Sequence, residues 1–253
     1  MLLGICFGGY LSTLSQKMTM KMEGQSVTSD KGKTIYPVTG KVRTYYIAAD
    51  EVAWDYMPGN TDHMTGKPVE GVVKLLTEQS PTRIGKVYVK AVYREYTDST
   101  FTKLKPRKPD EQYLGLLGPV LRAEVGDVFH IVFKNNATRP YNMHPHGVFY
   151  QKASEGAVYD KGNGKNSHDG NAVPAGGRFT YVWEVPERAG PGSKDGSSVV
   201  WFYHSHVNEP KDVNSGLVGA IIITAKGQAN PDGTPKDVDH EFISFNDEKT
   251  LHQ

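Results

Sequence analysis

Two pairs of histidines, each separated by one residue, are the feature of this sequence best suited to chemistry. His144 and His146 lie in RPYNMHPHGVFY, and His204 and His206 lie in VVWFYHSHVNEP. Side chains alternate in an extended chain, so both histidines of a pair point the same way, with Cα atoms about 6–7 Å apart. Neutral imidazoles are common metal ligands. One pair is a weak signal, but two pairs 60 positions apart predict four imidazoles converging on one metal site.

Several kinds of metal site use this spacing. A cupin site would need a glutamate four residues after the second histidine, where Tyr150 stands. A mononuclear zinc hydrolase stays open, because three histidines and a water molecule complete such a site. Four histidines in two pairs suit a multinuclear site better, since each pair can bridge two ions. The only cysteine, Cys6, excludes an intramolecular disulfide and a cysteine-based zinc site.

The segments that must position these histidines have the pattern of β-strands. They are rich in β-branched and aromatic residues, and the 27 glycines and 15 prolines are spread between them as turn residues. No long amphipathic helix is indicated, which favours an all-β Greek-key sandwich. The last segment is almost entirely apolar and is expected to be a central strand. The candidates are residues 41–59, 86–97, 120–136, 178–185, 197–204 and 217–224.

The composition is that of an ordinary globular protein. The 253 residues carry a net charge of +1, with 38% hydrophobic and 23% charged residues. The chain has no basic excess of the kind that binds nucleic acid, and no apolar run of membrane-spanning length. The opening MLLGICFGGYL has the length of a signal peptide, although it lacks a basic start and a clear cleavage site. It favours a secreted or periplasmic location.

Longer stretches around the histidine pairs resemble a known family. TYYIAADEVAWDYMPG, YLGLLGPVLRAEVGDVFHIVFKNNATRPYNMHPHG and WFYHSHVNEPKDVNSGLVGAIII are similar to the first domain of the ceruloplasmin and hephaestin type of multicopper ferroxidase. The A domains of coagulation factors V and VIII are similar too. The resemblance runs from about Lys41 to Thr224, and it implies a cupredoxin (plastocyanin-like) fold.

The resemblance also implies a role for each histidine. In that family, pairs from the first and last cupredoxin domains meet and hold a trinuclear copper cluster. If these roles apply to this sequence, His144 would bind type 2 copper and His146 would bind type 3 copper. His204 and His206 would bind the two type 3 ions. The clotting factors keep the fold without this full set, so four intact histidines favour copper.

The residue between the second pair excludes a further copper site. The last domain of these oxidases has a His-Cys-His motif, whose thiolate binds a blue type 1 copper. Ser205 stands at that position, and its hydroxyl cannot provide the covalent copper–sulfur bond. The chain is therefore expected to lack type 1 copper and to supply only half of a trinuclear site.

A calcium site is a second expectation from the family. The resemblance places it in the loop QKASEGAVYDKGNGKNSHDGNAVPAGG, and hard cations need several oxygen ligands. The candidates are the Lys152 carbonyl and the side chains of Glu155, Asp160, Asp169 and Asn171. The adjacent acidic pair of the family is reduced here to DGN, which weakens the prediction.

Three regions are predicted along the chain. Residues 1–40 form an N-terminal segment, 41–228 a cupredoxin domain, and 229–253 a linker leading into the start of a second cupredoxin domain. Phe242-Ile243 near the end resembles Tyr46-Ile47, which opens the first predicted strand 196 positions earlier. The alternative is a free-standing domain whose copies assemble around shared copper.

Two functions follow as hypotheses. In the first, the chain is a cupredoxin domain of a multicopper oxidase, and it supplies half of a site that reduces O2. Its partners would be further cupredoxin domains or a second copy, with Fe(II) or another one-electron donor as reductant. In the second, it is a non-catalytic copper-binding or protein-interaction module with the same fold.

Overall fold

The computed structural model describes residues 38–158 and 170–245. This part of the chain is built mainly of strands, with two helices of seven residues and short 3-10 turns. In chain order the elements are β1 Val42–Asp55, β2 Thr61–Asp62, β3 Lys67–Pro68, α1 Gly71–Thr77, β4 Val87–Tyr96, β5 Leu121–Glu124, β6 Val128–Asn135, β7 His144–Pro145, β8 Arg178–Glu184, β9 Ser198–His204, α2 Glu209–Ser215 and β10 Val218–Thr224. The 3-10 turns are Pro58–Asn60, Pro109–Leu114, Lys152–Ser154 and Glu187–Ala189.

The first sheet has the strand order β4-β1-β6-β8. The long strand β1 pairs antiparallel with β4 and parallel with β6, and β6 pairs antiparallel with β8. Alternation along β6 shows why one face is apolar: Phe129, Ile131 and Phe133 are fully buried, while His130 and Val132 between them are only partly buried. This face forms one wall of the core.

The second sheet has the order β5-β10-β9-β7, and its last two strands carry the first histidine of each pair. All seven residues of β10 are buried, and the strand lies between β5 and β9, which confirms the prediction of a central apolar strand. Strand β9 ends at His204. The edge strand β7 pairs antiparallel with β9, and the register sets His144 opposite His204.

The two sheets pack their apolar faces together around a core rich in aromatic side chains. Tyr93, Tyr181, Trp183 and Tyr203 are fully buried there, and ring contacts such as that of Tyr93 with Tyr203 (5.4 Å between centroids) connect the two sheets. Strands adjacent in a sheet are mostly distant in sequence, so the connections cross between sheets. The predicted all-β Greek-key sandwich of the cupredoxin type is confirmed.

A loop rather than a long strand leads to the first histidine pair. Residues 136–143 form a loop, and His144 opens a strand of only two residues. Pro140 and Pro145 flank this point and lack the N–H donors that a longer ladder needs. The first pair is therefore held by contacts from other segments rather than by a long strand of its own.

Two further observations bear on the predicted organisation. In the described ranges, no helix is long and apolar enough to cross a membrane. Residues 241–245 contain no strand, but Glu241 binds Arg122 through two contacts, Nη1 to Oε1 at 2.9 Å and Nη2 to Oε2 at 2.7 Å. The region after β10 is thereby held against the sandwich. The predicted division into three regions stays a prediction.

Candidate metal centre

The structure brings the two histidine pairs together. One ring nitrogen each of His144, His146 and His204 lies within 4.8 Å of the others, and no other such group of histidine, cysteine or acidic side chains forms in the described parts of the chain. Nε2 of His146 is 3.0 Å from Nε2 of His204. The ring of His206 completes the set, with its centroid 5.2 Å from that of His144 and 5.7 Å from that of His204.

Backbone pairing between β7 and β9 creates this convergence. The register places His144 directly opposite His204 on the neighbouring strand. One step further, the His146 amide donates to the Phe202 carbonyl at 2.8 Å. Gly147 then turns the chain with φ of 76°, and a Cβ there would come within 2.0 Å of the Trp201 ring. Glycine is required because the backbone must approach the indole closely.

Carbonyl groups fix which nitrogen of two of the rings is available. Nδ1 of His144 lies 2.6 Å from the Glu155 carbonyl, and Nδ1 of His204 lies 3.1 Å from the Ser205 carbonyl. A carbonyl only accepts, so the Nδ1–H group of each ring is the donor. This leaves the Nε2 lone pairs of His144 and His204 available to a metal ion, because histidines that bind metals commonly donate their other ring N–H to a carbonyl.

Burial keeps the imidazoles neutral. Desolvation lowers the pKa of His144 and of His204, because charge is costly in this environment. Burial, reinforced by the three neighbouring histidines, lowers the pKa of His146 to about 4. At neutral pH these three rings are therefore uncharged, each with one unprotonated nitrogen, which is the protonation state that binds a metal.

Aromatic side chains cover part of the site. The ring of Phe202 stacks on His146 with a centroid distance of 4.1 Å, and Tyr150 meets His144 edge-on at 5.9 Å. His204 is almost completely buried, whereas 35% of the His206 side chain is exposed. The site is thus closed on its β9 side and opens to solvent at His206.

Ser205 faces away from the metal ligands into the protein. It is fully buried, and its hydroxyl donates to Asp212 Oδ2 at 2.7 Å. Burial raises the pKa of Asp212, and the Asn208 amide donates to the same oxygen at 3.0 Å. Ser205 and Asp212 therefore connect the end of β9 to α2.

The other histidines that the structure describes do not join the site. His63 and His240 are exposed, and His130 lies within β6, where burial lowers its pKa. His168 and His252 lie outside the described residues. The pairing of histidines in the sequence therefore distinguishes the four clustered residues from the other three that the structure describes.

The predicted calcium ligands are described only in part. Lys152 forms a salt bridge with the carboxylate of Glu155, and the Glu155 carbonyl is the partner of His144. Asp160 and Asp169 lie outside the described residues. Asn171 is buried, and within the described ranges its Oδ1 has no hydrogen-bond partner. The calcium site stays a prediction.

Sequence reasoning missed two groups that orient the pairs. One is the Glu155 carbonyl, since a backbone oxygen leaves no trace in residue types. The other is Asn142, which is fully buried and accepts the His206 amide proton on Oδ1 at 2.7 Å. The only feature of the sequence that could have indicated this role is the position of Asn142, two residues before His144.

The set of ligand atoms fits copper. Copper accepts imidazole nitrogen readily, and four histidines can hold more than one ion. Neutral rings with Nε2 lone pairs satisfy the protonation state that binding requires. A thiolate, which a blue copper site needs, is replaced at the central position by the hydroxyl of Ser205.

Comparison with known proteins agrees with this chemistry. Residues 112–228 match the family model described as "Multicopper oxidase". The human protein named Ferroxidase HEPHL1 is 48% identical over 205 residues, 79% of this chain and 17% of that protein. Mouse hephaestin is 41% identical over 211 residues (82% and 18%), and rat ceruloplasmin is 44% identical over 207 residues (81% and 20%).

A blood-clotting protein also matches. Coagulation factor V of Sus scrofa is 41% identical over 205 residues, 81% of this chain and 8% of that protein. The chain spans a fifth or less of the length of all these relatives. The family-model match covers both histidine pairs. The chain therefore carries a domain of the multicopper oxidase family and is similar along most of its length to ceruloplasmin and hephaestin.

Proposed function

We propose that this domain binds copper and supplies half of the histidine ligands of a trinuclear, O2-reducing site. The observation that carries the proposal is the convergence of ring nitrogens from both pairs within 4.8 Å, in a chain of the multicopper oxidase family. His144 would serve type 2 copper and His146 type 3 copper. His204 and His206 would serve the two type 3 ions.

The protein's own groups prepare the site before any ion enters. The carbonyls of Glu155 and Ser205 hold the rings of His144 and His204 with Nε2 available. The stacked ring of Phe202 excludes water from one side of His146. Bound copper would supply the one-electron redox chemistry of O2 reduction.

The remaining ligands must come from elsewhere. Four histidines make up half of the set that the family resemblance implies, and Ser205 removes the local type 1 site through which electrons would arrive. A further cupredoxin domain or a second copy of this chain would complete the cluster. The names of the relatives favour Fe(II) as the electron donor, although another one-electron donor fits the same chemistry.

Two lesser assignments belong to the same proposal. A calcium ion held by oxygens of the 152–171 loop would stiffen the segment that carries Glu155, and the buried Oδ1 of Asn171 supports it. Export from the cell, to a secreted or periplasmic location, rests on the apolar opening of the sequence, which lies outside the described residues.

Copper binding by ligand variants tests the proposal. His144→Ala and His204→Ala should each lower Cu(II) affinity in an isothermal titration and change the electron paramagnetic resonance spectrum. His130→Ala is the matched control, because His130 is also half-buried on a strand but lies outside the cluster. All three variants should keep the circular dichroism of a folded sandwich.

The alternatives give different results. Cu(II) affinity equal to that of the unchanged chain in both His144→Ala and His204→Ala would overturn the copper site. Unfolding of both variants in metal-free buffer, with His130→Ala folded, would show that the histidines serve packing instead. Tight copper binding without turnover, in a protein extended by its downstream domains, would favour the non-catalytic module.

A further inference from the structure

Within the described ranges, Asn142 is the buried amide side chain that hydrogen-bonds to the second histidine pair. It is completely inaccessible to solvent and lies in the loop between β6 and β7. Its Oδ1 accepts the His206 amide proton at 2.7 Å, and its Nδ2 donates to the Asn171 carbonyl. These partners fix the amide orientation, because an N–H needs the oxygen and a carbonyl needs the NH2 group.

The backbone of Asn142 is held equally firmly. Its carbonyl accepts the phenol proton of Tyr93, and its amide lies 3.5 Å from the hydroxyl of Ser205. Asn142 therefore joins β4, the loop at Asn171 and the end of β9 at one point. Because Asn142 makes all of these hydrogen bonds, a shift of its backbone would also move His144, two residues further along the chain.

His206 lies outside the pairing of β7 with β9, where an isolated parallel bridge with Ala157 and the Asn142 side chain contact its backbone. Pairing between β7 and β9 sets His144 opposite His204 and continues towards Phe202 through the His146 amide, so it runs away from His206 and does not reach it. His206 lies two residues beyond the end of β9. Its amide has no ladder partner on β7 and reaches across to the Asn142 side chain, 64 positions earlier in the chain.

We propose that Asn142 is a positioning residue of the metal centre, which sets His206 of the second pair relative to the first pair. The inference rests on the proposed copper site, since it assigns Asn142 a task within it. Asn142 does not bind the ion. It acts through the His206 backbone, as residues beyond the ligands of metal sites commonly do.

A matched control separates positioning from stability. Asn135 is also completely buried and uses its whole side chain: Nδ2 donates to the carbonyls of Arg139 and Val173, and Oδ1 accepts the Ala137 amide proton. None of these partners is a histidine. Asn142→Leu and Asn135→Leu therefore remove similar buried hydrogen bonds, and only the first touches the metal centre.

The first measurement needs no metal. Hydrogen exchange of the His206 amide, followed by NMR in the metal-free 253-residue chain, should be faster in Asn142→Leu and unchanged, after correction for global stability, in Asn135→Leu. Asn142→Asp keeps an acceptor oxygen for this amide and should retain slow exchange. Fast exchange of the His206 amide in the unchanged chain would overturn the proposal at once.

The second measurement is Cu(II) affinity. Asn142→Leu should lower it about 10- to 100-fold, the usual effect of losing a residue that orients a ligand. Asn135→Leu should leave it unchanged, and Asn142→Asp should restore most of it. Equal losses in both leucine variants, or no loss in Asn142→Leu, would contradict positioning.

Two outcomes separate this inference from the proposed function. If His204→Ala binds Cu(II) as well as the unchanged chain, the copper site itself is wrong. If His204→Ala loses affinity while Asn142→Leu keeps it, only the role of Asn142 is wrong. If Asn142→Leu does not fold, Asn142→Asp provides the test. Slow exchange of the His206 amide together with a loss of Cu(II) affinity in Asn142→Asp would show that the acceptor oxygen does not position the site.

Discussion

Nε2 of His146 lies 3.0 Å from Nε2 of His204, so one imidazole from each histidine pair meets the other at hydrogen-bond distance. Because Nδ1 of His204 donates to the Ser205 carbonyl, Nε2 of His204 is the acceptor and Nε2 of His146 carries the shared proton. A metal ion is the natural replacement for a proton shared between two such lone pairs. Five predictions follow from the site and its surroundings.

The isolated chain should bind copper without sustained oxidation of Fe(II). A monomer holds only half of the expected ligands and no type 1 copper, so electrons have no entry site. Copper-loaded protein would be separated by size, and each fraction assayed for O2 uptake with Fe(II), using His204→Ala as the blank. Uptake confined to an oligomer would indicate shared interfacial clusters, whereas sustained turnover by a verified monomer would rule out the half-site.

The copper-loaded chain should lack the intense blue absorption of a thiolate–copper bond. The hydroxyl of Ser205 is committed to Asp212 at 2.7 Å and offers no sulfur ligand. Visible absorption of the Cu(II)-loaded chain, compared with a blue copper protein at equal concentration, makes the measurement. A strong blue band would show that Cys6, the only cysteine, reaches a copper ion.

The metal-free chain should lose stability in mild acid. The pKa of His146 falls from 6.5 to about 4 on folding, so the unfolded chain takes up the proton first as the pH drops. The contribution of His146 is therefore complete above pH 6.5 and declines as the pH falls towards 4. Urea unfolding at several pH values should show that the free energy of unfolding declines less with falling pH in His146→Gln than in the unchanged chain. An equal decline in both proteins would assign the effect to other groups.

Replacing Thr224 with valine should stabilise the sandwich by about 1 kcal/mol, because a buried hydroxyl without a hydrogen-bond partner destabilises the folded state by about that amount. Thr224 is completely buried in β10, and its hydroxyl has no partner within the described residues. Valine keeps the shape and removes the polar atom. Thr224→Ser is the control, because it keeps the hydroxyl, loses a methyl group and should destabilise. A loss of stability in Thr224→Val would mean that the hydroxyl is hydrogen-bonded in solution.

Breaking the contact between Arg122 and Glu241 should lower the free energy of unfolding by about 1.5–3 kcal/mol, the usual contribution of a hydrogen bond to a charged group. The pair is bidentate, and the side chains are only 10% and 22% exposed. Glu241→Ala would be compared with Glu78→Ala, which breaks the exposed helical pair with Lys74 and should cost no more than about 0.5 kcal/mol. Chemical denaturation provides both values. Equal small losses would mean that Glu241 does not hold its segment against the sandwich in solution.

The sequence by itself determined the chemistry of the site and the class of fold. Histidine spacing predicted the four residues that cluster, because the alternation of an extended chain is a local property that residue order displays directly. The apolar run of β10 likewise marked a central strand, since only a strand covered on both faces can lack polar positions. The serine at position 205 excluded a thiolate ligand without any coordinates.

Only the tertiary structure decided how the two pairs meet. The register that sets His144 opposite His204 joins segments 60 positions apart, and periodicity does not state which strands pair. The contacts of Asn142 with His206 and of Glu155 with His144 are equally invisible in the sequence, because a side chain or carbonyl finds its partner through topology. The ligands are encoded locally. Their geometry depends on long-range hydrogen bonds that form only when the sheets pack.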